Sequence, residues 1–269
     1  MPGLLLFCLP YAGASATAYL RWRRLLPAGV ALVPLEPPGR GARLAEPLLR
    51  DFEALAADLA GAAGARLDQH ADRGAPARYA LFGHSMGGLL AYRVAQLLRE
   101  RGHALPQRLV VSACAAPSRR DPRRLAALRG DAALMAELRK HGGTPEAVFA
   151  DAELLRLTLD VLDADYRVCE SFRHTDAAPL PVPLHVLAGR DDAIGAAELQ
   201  AWALATSAGH TLDWFAGGHF FLHQQQGAVL ARLAELLATV LAAVPTEPPA
   251  EPPAALPPGH ARAARPVPA

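Results

Sequence analysis

Two hydrophobic rhythms alternate along the chain. Short, continuous apolar runs bounded by Gly and Pro recur as "LLLFCLP" (4–10), "VALVPLEPP" (30–38), "YALFGHS" (79–85), "RLVVSACAAP" (108–117), "LHVLAGRD" (184–191) and "TLDWFAGG" (211–218). Most of the gaps between them carry apolar residues at helical spacing, as in "DFEALAADLAGAAGARL" (51–67) and "GLLAYRVAQLLRERG" (88–102). A strand that is apolar at every position is covered on both faces. Strands alternating with amphipathic helices build a parallel sheet with helices on either side. The pattern predicts an α/β fold with a mostly parallel sheet, and such sheets place their sites at the carboxyl ends of the strands.

Residues 118–176 break the alternation: they are helical in period, polar, and lie between two strands. An insertion this long, with helices of its own, is expected to form a helical lid over the site. After the last helical run, "AVLARLAELLATVLAAV" (228–244), the chain turns to Pro and Ala. Residues 1–244 are expected to form one domain, and 245–269 a disordered or polyproline-like tail outside its core.

Composition narrows the function classes. The 269 residues are 52% hydrophobic with a formal net charge of +1, which suits a large globular core and lacks the basic excess of a nucleic-acid binder. No run reaches the roughly 18–20 apolar residues of a membrane span. The opening "MPGLLLFCLP" has no basic start and too short an apolar run for a signal peptide, so it reads as a buried strand. The cysteines Cys8, Cys114 and Cys169 are odd in number and lack metal-ligand spacing, which argues against a disulfide framework or metal site. Cys8 and Cys114 read as small core hydrophobes, and a reducing cytoplasm fits this usage.

Candidate chemistry starts at Gly83-His84-Ser85-Met86-Gly87, a G-x-S-x-G between a strand and a helix. The glycines permit a turn tight enough to expose the Ser85 hydroxyl, and the helix start behind it offers N–H groups and partial positive charge to an oxyanion. A serine nucleophile needs a base held in one tautomer by an acid. Among ten histidines, His219 follows the last strand after "AGG" and precedes the final helix, where such a base is delivered. His84 reads as a packed neighbour of the nucleophile, His185 as part of a strand, His210 as preceding the last strand, and His223 as packing on its helix. The loop after the preceding strand offers Asp191 and Asp192, with Asp192 favoured. The order Ser, Asp, His is that of the hydrolase elbow enzymes. For the oxyanion, one donor is expected at Met86 N–H and the other in "LPYAGASA" (9–16), from Ala12 or Gly13. These residues alone suit a carboxylesterase, a lipase, a thioesterase or an acyltransferase. A non-catalytic scaffold is disfavoured because all three positions are filled.

The whole set resembles the type II thioesterases that accompany modular polyketide and nonribosomal peptide synthetases. The similarity rests on "LPYAGASA", "PPGRGARLAEPL" (37–48), "GHSMGG" (83–88), "GGTPEAVFAD" (142–151), "GRDD" (189–192) and "GGHFFL" (217–222). It implies an α/β-hydrolase fold with a helical lid, and Ser85, Asp192 and His219 as nucleophile, orienting acid and base. Met86 and Ala12 would donate to the oxyanion. The implied substrate is an acyl group on the phosphopantetheine arm of a carrier protein. A monomer is expected, needing neither a cofactor of its own nor a metal. Where the family's lid reads close to "PVLRAD", this chain has Asp160-Val161-Leu162-Asp163-Ala164-Asp165, without the proline and with one charge reversed. Arg119, Arg120, Arg123, Arg124 and Arg129 are expected at the mouth of the insertion, where a basic patch would steer an acidic carrier.

Overall fold

The computed structural model describes residues 3–72, 78–121, 128–141 and 144–242. The proposed tail (245–269) and two arginines of the expected patch, Arg123 and Arg124, lie outside the described residues. The six apolar runs form strands β1 (Leu4–Leu9), β2 (Val30–Pro34), β3 (Tyr79–His84), β4 (Arg108–Ser112), β5 (Leu184–Gly189) and β6 (His210–Phe215). They pair in the order β2-β1-β3-β4-β5-β6, and every pairing is parallel. This is the sheet of an α/β-hydrolase fold. His210, expected just before the last strand, is its first residue.

Period-two alternation divides the sheet into two cores. Leu5, Phe7, Leu9, Tyr79, Leu81, Leu109, Val111, Leu184 and Val186 face one side, under helices α1 (Phe52–Ala71) and α2 (Met86–Glu100). Leu4, Leu6, Cys8, Ala80, Phe82, Val110 and Leu187 face the other. That side is covered by a 3-10 segment (Ala16–Arg24) carrying Tyr19 and Trp22, and by the carboxyl-terminal helix Gln226–Ala242. With both faces covered, continuous apolar strands cost nothing in exposed surface. Among the described residues, no helix is long and apolar enough to cross a membrane.

Between β4 and β5 the insertion supplies α3 (Asp131–His141), α4 (Glu146–Ala150) and α5 (Ala152–Ser171). Asp151 starts α5 by accepting from the N–H groups of Glu153 and Leu154, two donors a helix start leaves unpaired. Leu159 and Leu162 of α5 and Leu134 of α3 form a third, smaller core that also packs on Ala12, in the loop after β1. The last two helices are α6 (Ala196–Gln200) and α7 (Phe221–Gln224), with the carboxyl-terminal helix following as α8.

His185 is buried on β5, its Nδ1 sharing a 2.7 Å hydrogen bond with the Thr211 hydroxyl. Burial, then the nearby charges of Arg108 and Arg232, push its pKa down from 6.5 to about 4. Between those values the unfolded chain binds a proton that the folded chain refuses, so the folded state loses stability as pH falls from 6.5 toward 4. A His185→Gln variant should show a shallower fall of Tm between pH 7 and 4.5 than the parent. Parallel curves would contradict this.

Candidate active site

The carboxyl ends of β1, β3 and β4 are flush, with Leu9 beside Gly83 and His84 beside Ser112. The chain leaves β3 at Ser85 with φ 55 and ψ −117, then enters α2 at Met86. A non-glycine residue in that region is strained, by about 1–3 kcal/mol, and persists only where its surroundings hold it. Ser85 N–H donates to Ser112 C=O at 2.7 Å, while Ser85 C=O accepts from Gly88 N–H at 3.0 Å. Space around the turn is nil: a Cβ on Gly83 would lie 1.9 Å from Gly87 O, and one on Gly87 2.2 Å from Leu9 O. The glycines of the motif are there because backbone occupies the volume.

His219, in the loop after β6, brings Nε2 to 2.9 Å from Ser85 Oγ, and its Nδ1 lies 2.8 Å from Asp192 Oδ2. The carboxylate is nearly buried and the imidazole a quarter exposed. Asp191 stays exposed at the same cavity, so the structure brings Asp192, not its neighbour, to the histidine. His84 is fully buried, shares a 2.9 Å hydrogen bond with the Ser112 hydroxyl, and has its pKa pushed well down by burial and by His219 and His223. His223 does more than pack on its helix: its Nε2 lies 3.1 Å from the Tyr11 hydroxyl, and both residues line the cavity.

The thioesterase domain family matches residues 5–237. The chain belongs to that family. This thioesterase-family chain is 38% identical over 221 residues to Thioesterase PikA5 of Streptomyces venezuelae, covering 82% of this chain and 76% of that one. It is also 34% identical over 238 residues to the Brevibacillus parabrevis protein named Linear gramicidin dehydrogenase LgrE, covering 87% and 88%. Among solved structures it resembles the type II thioesterase BorB from the borrelidin biosynthetic cluster, with a TM-score of 0.76 and 39% identity over 87% of this chain and 93% of that one.

In this thioesterase-family fold, one ion pair organises the rim of the site. Asp165 of α5 is fully buried and takes both arms of the Arg40 guanidinium, each at 2.6 Å. Its Oδ2 also accepts from Gly13 N–H at 2.7 Å, while Arg40 Nη1 donates to Ala14 C=O at 3.2 Å. The loop after β1 is thus gripped on both sides of Gly13. Gly13 N–H is spent on Asp165, whereas Ala12 N–H and Met86 N–H have no acceptor among the described residues. Neither Arg40 nor Asp165 stood out as a site residue in sequence, although "PPGRG" contains the one and the divergent lid stretch the other.

A cavity of about 590 Å³ opens on Ser85, walled by the loop after β1, the β5–α6 loop and the insertion. Three members of the expected basic patch, Arg119, Arg120 and Arg129, are among the described residues. Arg129 pairs with Glu170, and only Arg119 of the described members is both exposed and at the cavity. Arg120 is part-buried at the cavity, with its Nε buried. The 3-10 turn Pro117–Arg119 ends at Arg120, whose backbone is extended at φ −76 and ψ 132.

Removing one partner of a buried, bidentate pair strands the other charge, at about 3–5 kcal/mol. Asp165→Asn should therefore lower the unfolding free energy by that order in urea. A loss below about 1 kcal/mol would show that the pair does not hold the rim together.

Proposed function

We propose that the chain is an acyl-carrier thioesterase that works through an acyl-enzyme on Ser85. The observation that carries this reading is the continuous line from Ser85 Oγ through His219 to Asp192, at 2.9 and 2.8 Å, inside a chain of the thioesterase family. His219 Nε2 takes the hydroxyl proton as Ser85 Oγ attacks the thioester carbonyl, and Asp192 holds the Nδ1–H tautomer and steadies the imidazolium. The oxyanion lies against Met86 N–H and Ala12 N–H, with α2 adding its positive end. Collapse breaks the C–S bond, and the thiolate leaves with the proton from His219. Water then attacks the acyl-serine and gives a proton to His219, which returns it to Ser85. The products are a carboxylic acid and a free thiol.

The phosphopantetheine thiol of a carrier protein of polyketide or nonribosomal peptide assembly is the leaving group we assign, with clearance of stalled carriers or product release as the outcome. The relationship to a type II thioesterase and to PikA5 supports this. Residues 1–244 form the catalytic domain, with 118–176 as its lid. The phosphopantetheine comes with the substrate, so the chemistry asks no further cofactor of the chain. The oxidoreductase name of one relative is not carried over. The turn after β1, Leu9-Pro10-Tyr11-Ala12-Gly13-Ala14, lacks the G-x-G-x-x-G that seats a dinucleotide on a helix N-terminus.

A fluorophosphonate probe should label the protein, and the label should vanish in Ser85→Ala. Hydrolysis of acyl-pantetheine should fall roughly 10⁴-fold or more in Ser85→Ala and His219→Ala. Asp192→Asn should cost far more than Asp191→Asn, because only the former changes the tautomer that His219 presents. A preference for p-nitrophenyl esters over acyl-pantetheine would support an oxygen esterase instead.

A further inference from the structure

Arg120 stands out as a cation without an anion. It lines the cavity that holds Ser85, its Nε is buried and has no hydrogen-bond acceptor, and no ion pair is formed by it among the described residues. The buried thiols of Cys114 and Cys169 line the same cavity and feel the Arg120 charge. Burial raises both thiols, that of Cys169 to about 12, so at neutral pH both are uncharged and give the guanidinium no compensating charge. The segment that follows, 122–127, is Pro-Arg-Arg-Leu-Ala-Ala and contains no acid.

The other carboxylates at the cavity have different engagements. Asp192 faces His219 at 2.8 Å, Glu198 accepts from Gly195 N–H at 2.8 Å, and Glu137 lies 3.4 Å from Lys140. Asp121 and Asp191 are exposed at the rim. Arg120 is part-buried, and an arginine at a cavity wall without an ion partner offers a planar fork that matches a carboxylate in two parallel hydrogen bonds. In this cavity the missing partner can arrive with the substrate.

We propose that Arg120 selects the acyl group, receiving the carboxylate at the far end of an acyl chain whose thioester carbon is at Ser85. The substrate class is then the half-thioester of a dicarboxylic acid. This deepens the reading of Ser85 as the acyl-accepting residue and rests on it.

The test compares malonyl-, succinyl- and glutaryl-pantetheine with propionyl-, butyryl- and valeryl-pantetheine on the full chain. At one chain length at least, wild-type kcat/KM should favour the carboxylated member. In Arg120→Leu that preference ratio should fall about 10- to 100-fold, the worth of one charge-assisted hydrogen bond or more, with Arg120→Lys intermediate. The wild-type comparison stands whether or not the variants fold. Hydrolysis of the neutral series in preference to the carboxylated one at every length would overturn the Arg120 assignment and leave the thioesterase reading intact. An unchanged ratio in an active Arg120→Leu would do the same. Failure to cleave either series, with Ser85 still labelled by a fluorophosphonate, would remove both.

Discussion

The whole site hangs on one strained residue. Ser85 can hold φ 55 and ψ −117 because backbone closes in on it from three strands. Ser112 C=O fixes its N–H, and Gly83 and Gly87 let α2 pass within van der Waals contact of β1 and β3. The two buried cores pin those strands from both faces. Strain at the turn is thus a product of sheet packing, and its geometric result is a hydroxyl within hydrogen-bond distance of His219 at the start of α2.

A second constraint acts from above. Asp165 belongs to the insertion, Arg40 to the loop after β2, and Gly13 to the loop after β1. One buried carboxylate ties the three together and decides which N–H of the β1 loop stays free. The insertion is therefore part of the site's architecture rather than a cover laid upon it. Any movement of α5 that separated Asp165 from Arg40 would also release Gly13.

The fold was legible because its information is local. Continuous apolar runs, helical spacing and Gly-Pro punctuation each report on neighbouring residues, and a two-sided parallel sheet follows from them. Ser85 and His219 were legible for the same reason, since a turn and a post-strand loop carry their own signatures. Arg40 and Asp165 were not, because their pairing spans 125 residues and neither side chain differs in sequence from a solvated charge. Arg120 was not legible for a related reason: within an arginine-rich stretch its part-buried place at the cavity, with Nε buried, has no signature of its own. The charge-reversed lid stretch keeps Asp165 at its end, and that single residue carries the contact.

The central claim is that a carrier-borne acyl group passes through a covalent ester on Ser85. It is tested most directly by rapid-quench intact-mass spectrometry of the protein mixed with an acyl-loaded carrier, followed by mapping of the modified peptide. The account predicts transient acyl mass on the peptide holding Ser85, matched by carrier bearing free phosphopantetheine thiol, and neither change with Ser85→Ala. Deacylation of the carrier that persists in Ser85→Ala, or a carrier that keeps its acyl group in the presence of the wild-type protein, would contradict it.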